Sequence, residues 1–354
     1  MTDISAETSA ELARAGRARD PVAVGLRIFA NAMVLLCFAF VLNNFLNFWH
    51  DWPGLPSLFA HSGWFGFAPL REALSDEAVT RGWFQVALYL IPCLAAAAYV
   101  LMTPRRSMHA DSERLSAFAA YMVRAVFWGV LLIGIADSMI SFLRVEGLLA
   151  SVVGEQLSKD LGRSAFRGNM VHYPLLAVSF VAALFTRSLG FHWLALLIVV
   201  AEIQIVIARF IFSYEQAFMG DLVRFWYGAL FLFASAHTLI AEGHVRVDIL
   251  YAGFSERGKA WTNTLGSVFL GLPLCWVILT MGMWGKSNVI NGPLLNYEVT
   301  QSGYGMYVKY FLAGFLLIFA ITMLVQFMSY LLSNAAVLRR EADYHPDLSE
   351  HANV

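Results

Sequence analysis

Charge is what this sequence has least of. Only 14% of its 354 residues are Asp, Glu, Lys or Arg, against roughly 25% in a soluble globular chain. That polar coat is too thin for a water-exposed surface and excludes an ordinary soluble domain. The charge that is present nearly cancels, 24 basic against 25 acidic side chains, so no basic face points to nucleic acid. Cysteine is almost absent as well. Cys37, Cys93 and Cys275 each lie in an apolar run, without CxxC or Cys/His spacing. They imply neither a disulfide framework nor a zinc site and read as small apolar side chains. Also missing in any fitting context are GxSxG, HExxH, Walker A and GxGxxG. No nucleophile, metal site or nucleotide cradle is visible, and the chain reads as a non-enzyme without a cofactor.

What the sequence has instead is long apolar runs. About 20 residues at 1.5 Å each cross a bilayer core of roughly 30 Å. Runs at 22–49, 82–102, 117–143, 170–185, 190–212, 222–241, 262–284 and 306–332 predict an all-α polytopic membrane protein of about eight transmembrane helices. The fourth run is short and contains Pro174, and Pro273 predicts a kink in the seventh. The first run is too long for a signal-peptide core and lacks a small-residue cleavage site, so it reads as an uncleaved anchor. Arg14, Arg17 and Arg19 precede it, and Arg105, Arg106, Arg114, Arg257 and Lys259 fall in loops on the same side. Positive-inside bias therefore predicts both termini in the cytoplasm. The loop at 144–169, which includes Arg167, falls outside. There Leu148, Val152, Leu157 and Leu161 predict one apolar stripe on a surface helix. Trp49, Trp52, Trp83, Trp226, Trp261 and Trp284 sit at span ends, as an interfacial belt would.

Ionisable residues within spans are costly and require a reason. Glu202 and Arg209 stand seven residues apart in one span, on one helical face. Arg209 can pair across the outer hairpin with Glu215 or Asp221, and Glu202 is expected to be a satisfied interior carboxylate. Asp137 is expected to hydrogen-bond within the bundle, and Asn31, Asn43 and Asn44 to bond between helices. A self-sufficient transporter would put Glu202 and Asp137 in its path. A membrane redox protein would use His172, His192 or His237, but these offer no midspan pair for a haem.

The sixth run ends in AEGHVRVDIL, where His244, Arg246 and Asp248 alternate with Val245, Val247 and Ile249. As an interfacial helix it would make His244 and Asp248 i,i+4 neighbours and leave Arg246 for phospholipid phosphate. Three features of this region go together. ARFIF ends one span, Asp221, Leu222 and Arg224 open the next, and the H-V-R-V-D run follows; NYEVTQSGYGMYVKYFLAGF, with Glu298 and Lys309, comes later. Together they resemble the small membrane subunit (the Q component, DctQ-like) of tripartite ATP-independent periplasmic (TRAP) transporters.

The resemblance covers about the C-terminal 150 residues. The family commonly has glutamate where this chain has Asp221. It implies a four-helix DctQ-like membrane domain at 188–335, with a polar tail at 336–354. A polar tail at 1–20 and an N-terminal membrane extension of about four helices at 21–187 remain outside it. It further implies a bacterial inner-membrane scaffold beside a large membrane (M) subunit that carries the substrate and sodium sites. A periplasmic substrate-binding (P) protein would deliver a small organic anion such as a carboxylate. Glu202, Arg209, Asp221, Arg224, His244, Arg246, Asp248, Glu298 and Lys309 are then structural or interface residues.

Overall fold

A computed structural model describes residues 20–187, 191–240, 251, 253–300 and 304–341. Within them the regular structure is helical, without a strand. Eight helices are long and apolar enough to cross a membrane: α1 (Pro21–Trp49), α3 (Asp76–Met102), α4 (Met108–Val145), α7 (Ser164–Phe185), α8 (Phe191–Phe212), α9 (Ala217–Ile240), α10 (Glu256–Met283) and α12 (Lys309–Leu338). Short helices α2 (Gly54–His61), α5 (Leu149–Val153), α6 (Glu155–Leu161) and α11 (Asn291–Asn296) lie in the connections. The chain is thus an all-α, multi-pass membrane protein. AEGHVRVDIL, with His244, Arg246 and Asp248, lies outside the described residues.

Helix starts follow the local chemistry. Asp20, Ser75 and Ser255 accept from backbone N–H groups in the first turns of α1, α3 and α10, as N-cap side chains do. The two prolines flagged in the sequence act alike. Pro174 and Pro273 each follow a π turn, Gly168–His172 in α7 and Ser267–Gly271 in α10. A proline offers no N–H and its ring presses on the carbonyl four residues back. One extra residue in that turn relieves the clash while the helix continues. The fourth span consequently reaches back to Ser164 and is no longer short.

The single surface stripe expected at 148–161 is not formed. Gly154, at φ +85°, separates α5 from α6. Leu161 turns inward at 6% exposure while Val152 stays 64% exposed.

Two compact units divide the chain. The first joins Met1–Leu115, Val247–Pro273 and Phe327–Asp347. In it Arg27 of α1 is buried, its Nε 2.7 Å from Asp111. Its Nη1 and Nη2 donate to the Thr103 carbonyl and hydroxyl at 3.0 and 2.9 Å. One cation thus closes the C-terminal end of α3 and pairs a carboxylate of α4. Asp111 also accepts from Tyr99 Oη at 2.9 Å and lies 2.6 Å from Arg106 Nε. Glu341 takes the Met108 and His109 N–H groups at 3.2 and 3.3 Å, serving as a remote cap for α4.

Asn43 does bond between helices, accepting from Gln85 of α3 at 2.7 Å. Asn31, by contrast, donates to the Arg27 carbonyl of its own helix at 2.8 Å.

The second unit joins Ser116–Arg246, Leu274–Gln326 and Leu348–Val354. Its core includes Trp226, only 5% exposed, whose indole N–H donates to the Val130 carbonyl at 3.3 Å. A Cβ at Gly134 would lie 2.5 Å from that nitrogen. Trp226 is therefore a packing residue fitted to a glycine and not part of an interfacial belt. Trp83, Trp261 and Trp284 are exposed at span ends.

Candidate functional site

The second unit holds the most concentrated polar chemistry of the described residues, centred on Asp137 of α4. Asp137, Arg167 and His172 have no solvent exposure. Oδ1 of Asp137 lies 2.9 Å from Arg167 Nη1 and 3.0 Å from His172 Nε2. Its Oδ2 accepts the Tyr307 backbone N–H at 2.7 Å. A carboxylate can only accept, so His172 carries a proton on Nε2, and its Nδ1 shares a 2.8 Å hydrogen bond with the Tyr310 hydroxyl. The group closes with the imidazole beside an Asp–Arg ion pair.

Arg167 is held from several sides. Its Nε donates to the Leu161 carbonyl at 3.0 Å and its Nη1 to Ser141 Oγ at 3.2 Å. Its guanidinium stacks 4.0 Å from the Tyr307 ring centroid, a cation–π contact. Only Nη2 has no partner among the described residues. The Tyr307 hydroxyl donates to the Gly162 carbonyl at 3.0 Å and accepts from Arg144.

The π turn explains how Arg167 and His172 share one oxygen. Five residues apart on a regular α-helix, they would point about 140° from each other. The wider turn at Gly168–His172 brings residues at this spacing nearer to one face. Gly168 is required at the same place. A Cβ there would lie 2.5 Å from Tyr297 Cε1 and 3.2 Å from the Tyr310 hydroxyl. Asp137 thus hydrogen-bonds inside the bundle as expected. Arg167 is in a helix and fully buried, not in an outer loop.

The other sequence-flagged residues do not join this centre. Glu202 is exposed on α8 and not interior. Leu194 and Ala201, seven residues apart, form the buried edge of α8 at 4% and 7% exposure, and Glu202 lies one residue, about 100°, beyond it. Arg209 pairs with Glu215 at 3.3 Å, both well exposed, a contact of about 0.2–1 kcal/mol. Asp221 is not its partner. Asp221 accepts from the Met306 backbone N–H at 3.0 Å and Thr300 Oγ1 at 3.4 Å, with exposed Arg224 at 3.7 Å. It anchors the segment before α12 to the start of α9. Glu298 and Lys309 form an ion pair across that same segment.

His192 is exposed, and the His237 side chain and the H-V-R-V-D run lie outside the description. Among the described residues, no three His, Cys, Asp or Glu side chains are placed to hold a metal ion.

Sequence reasoning missed Arg27, Asp111, Tyr307, Tyr310 and Glu341. Tyr307 and Tyr310 bracket Lys309 at the head of the last span, and the spacing of SAFRGNMVHYP carried the only hint of Arg167 and His172 on a common turn.

Comparison of the chain with protein-family models, with curated proteins and with solved structures gives no match.

Proposed function

We propose that the chain is the accessory scaffold subunit of a tripartite ATP-independent periplasmic importer in a bacterial inner membrane, with both termini cytoplasmic. It would stand beside a large membrane subunit that moves a small organic anion on an ion gradient, with sodium as the coupling ion, and help to receive a periplasmic binding protein. It would have no catalytic role of its own. The resemblance over the C-terminal region supplies the family. One observation carries the scaffold role: the fully buried ionisable groups Asp137, Arg167 and His172 are occupied with one another. Both carboxylate oxygens of Asp137 and both ring nitrogens of His172 are engaged within the chain.

A cargo or proton path needs groups able to exchange partners, and an axial haem ligand needs a free imidazole nitrogen. A satisfied core instead favours a rigid body with a wide apolar exterior. Purification from native membranes in mild detergent tests the reading. Co-elution with a larger multispanning protein is the expected result. Isolation as a lone, Soret-absorbing species, or substrate uptake by the purified chain alone in liposomes, would overturn it. A cysteine replacing exposed Arg105 should react with impermeant maleimide only from the cytoplasmic side; labelling from outside would refute the orientation.

A further inference from the structure

The helix with the least internal packing also carries a carboxylate at its middle. In an apolar 18-residue stretch of His192–Phe212 only 11% of the residues are buried, against 50% in the corresponding stretch of Lys309–Leu338. α8 meets its own unit along the Leu194–Ala201 edge and packs on α9. Most of the rest of its circumference is free: Val199, Ile203 and Val206 are 53%, 53% and 52% exposed. Glu202 opens onto this surface at mid-helix, with no bond to any described residue. Arg209, on the same side about two turns away, already pairs with Glu215.

An apolar face alone would be covered by lipid tails. A carboxylate at bilayer mid-depth changes that, because hydrocarbon offers it no donor and no counter-charge. Its depth also prevents a short Glu side chain from reaching the headgroups as a long Lys or Arg can. A two-fold copy of this face would bring Glu202 against Glu202, which repel. The complement is a membrane helix with a buried cation.

We propose that the Glu202 face of α8 receives a transmembrane helix of a different protein, one that carries lysine or arginine at mid-bilayer depth. This rests on the accessory-subunit reading and assigns it a docking surface. Val199 and Val206 flank the pair as the apolar ring that excludes lipid. Arginine fits best, since its fork can bind both carboxylate oxygens.

The test is photo-crosslinking in native membranes with p-benzoylphenylalanine at Val199 or Val206, with Val181 of α7 as an exposed control. Both α8 positions should capture one protein that Val181 does not. The captured peptide should be a hydrophobic segment with a Lys or Arg. Glu202→Gln and Glu202→Lys should lower the yield roughly tenfold or more, as loss of one member of a lipid-shielded pair requires. Glu202→Asp should retain part of it. Each variant is compared at equal amounts of monodisperse protein, which separates docking from folding.

Crosslinks to lipid only, to a second copy of this chain, or to a segment without a basic residue would overturn the proposal. So would a yield unchanged in Glu202→Gln. If a larger membrane protein co-purifies but crosslinks elsewhere, the docking surface falls and the scaffold reading stands. If the wild-type chain emerges alone, both fall.

Discussion

Replacing Asp137 with leucine isolates what the buried centre contributes. The substitution removes the acceptor for three donors at once: Arg167 Nη1, His172 Nε2 and the Tyr307 N–H. It strands a guanidinium with no solvent exposure. Breaking a buried ion pair from one side costs about 3–5 kcal/mol. At about 2–4 °C per kcal/mol for a body of this size, the midpoint should fall by on the order of 10 °C. The assay is the fraction of monodisperse protein surviving a heating series in detergent.

Asp137→Asn should fall nearly as far, because its amide N–H groups would face donors where acceptors are needed. Asp137→Leu combined with Arg167→Met is the decisive variant. Removing both charges leaves no stranded cation, so the double variant should be more stable than Asp137→Leu by over ~1 kcal/mol, a coupling that a double-mutant cycle measures. If Asp137→Leu lies within about 3 °C of the wild type, or the two effects simply add, the centre is not a coupled ion-pair network.

Gly168→Ala should destabilise by about 1–3 kcal/mol through overpacking against Tyr297, and Tyr297→Leu should relieve part of that loss in the same heating assay. Glu341→Ala should cost about 1 kcal/mol as a lost helix cap and speed amide exchange at Met108 and His109, leaving exchange in α9 unchanged. Asp20 gives a pH dependence. Burial alone would raise its pKa, but the Arg339 hydrogen bond, the Val22 N–H and the guanidinium charge outweigh it and hold it below the usual carboxylate value of 3.8. Its contribution is therefore present above the unfolded pKa near pH 4 and lost as pH falls through the lower folded value; Arg339→Gln should flatten that acid limb of the stability profile. A fragment beginning at residue 188 should fail to accumulate in membranes unless 1–187 is co-expressed, because the second unit draws Ser116–Arg246 together with Leu274–Gln326; accumulation of the fragment alone would refute this and support a separate domain at 188–335.

Span positions were legible because crossing a bilayer imposes length and composition on each segment separately. All eight expected runs overlap the eight helices. Facing was less legible, because a run apolar all round carries no helical phase. Trp226 looked interfacial by position, yet it packs on Gly134, a hundred residues away in order of magnitude and visible only once α4 and α9 meet. The fourth span looked short because Arg167 was read as a loop base. Its neutralising partner, Asp137, lies 30 residues earlier, and no local pattern joins them. The two-unit division was not legible at all: each unit is assembled from segments far apart in the sequence.

Asp137 and Glu202 show which part of that gap neighbouring residues can close. Both are acidic residues in long apolar helices, yet one is buried and the other exposed. Asp137 has Gly134 three residues before it and Ser141 four after it, on its own helical face. Gly134 lets Trp226 approach, and Ser141 shares Arg167 with Asp137. A small residue and a hydroxyl flanking a carboxylate in this way mark a helix surface built for close contact within a membrane bundle. Glu202 has Val199 and Val206 in the corresponding places, both branched and exposed. Branched side chains there hold a neighbouring backbone at a distance that a short carboxylate does not span. Such a site suits a long basic side chain reaching in, which is why the same residue type serves internal closure on α4 and external recognition on α8.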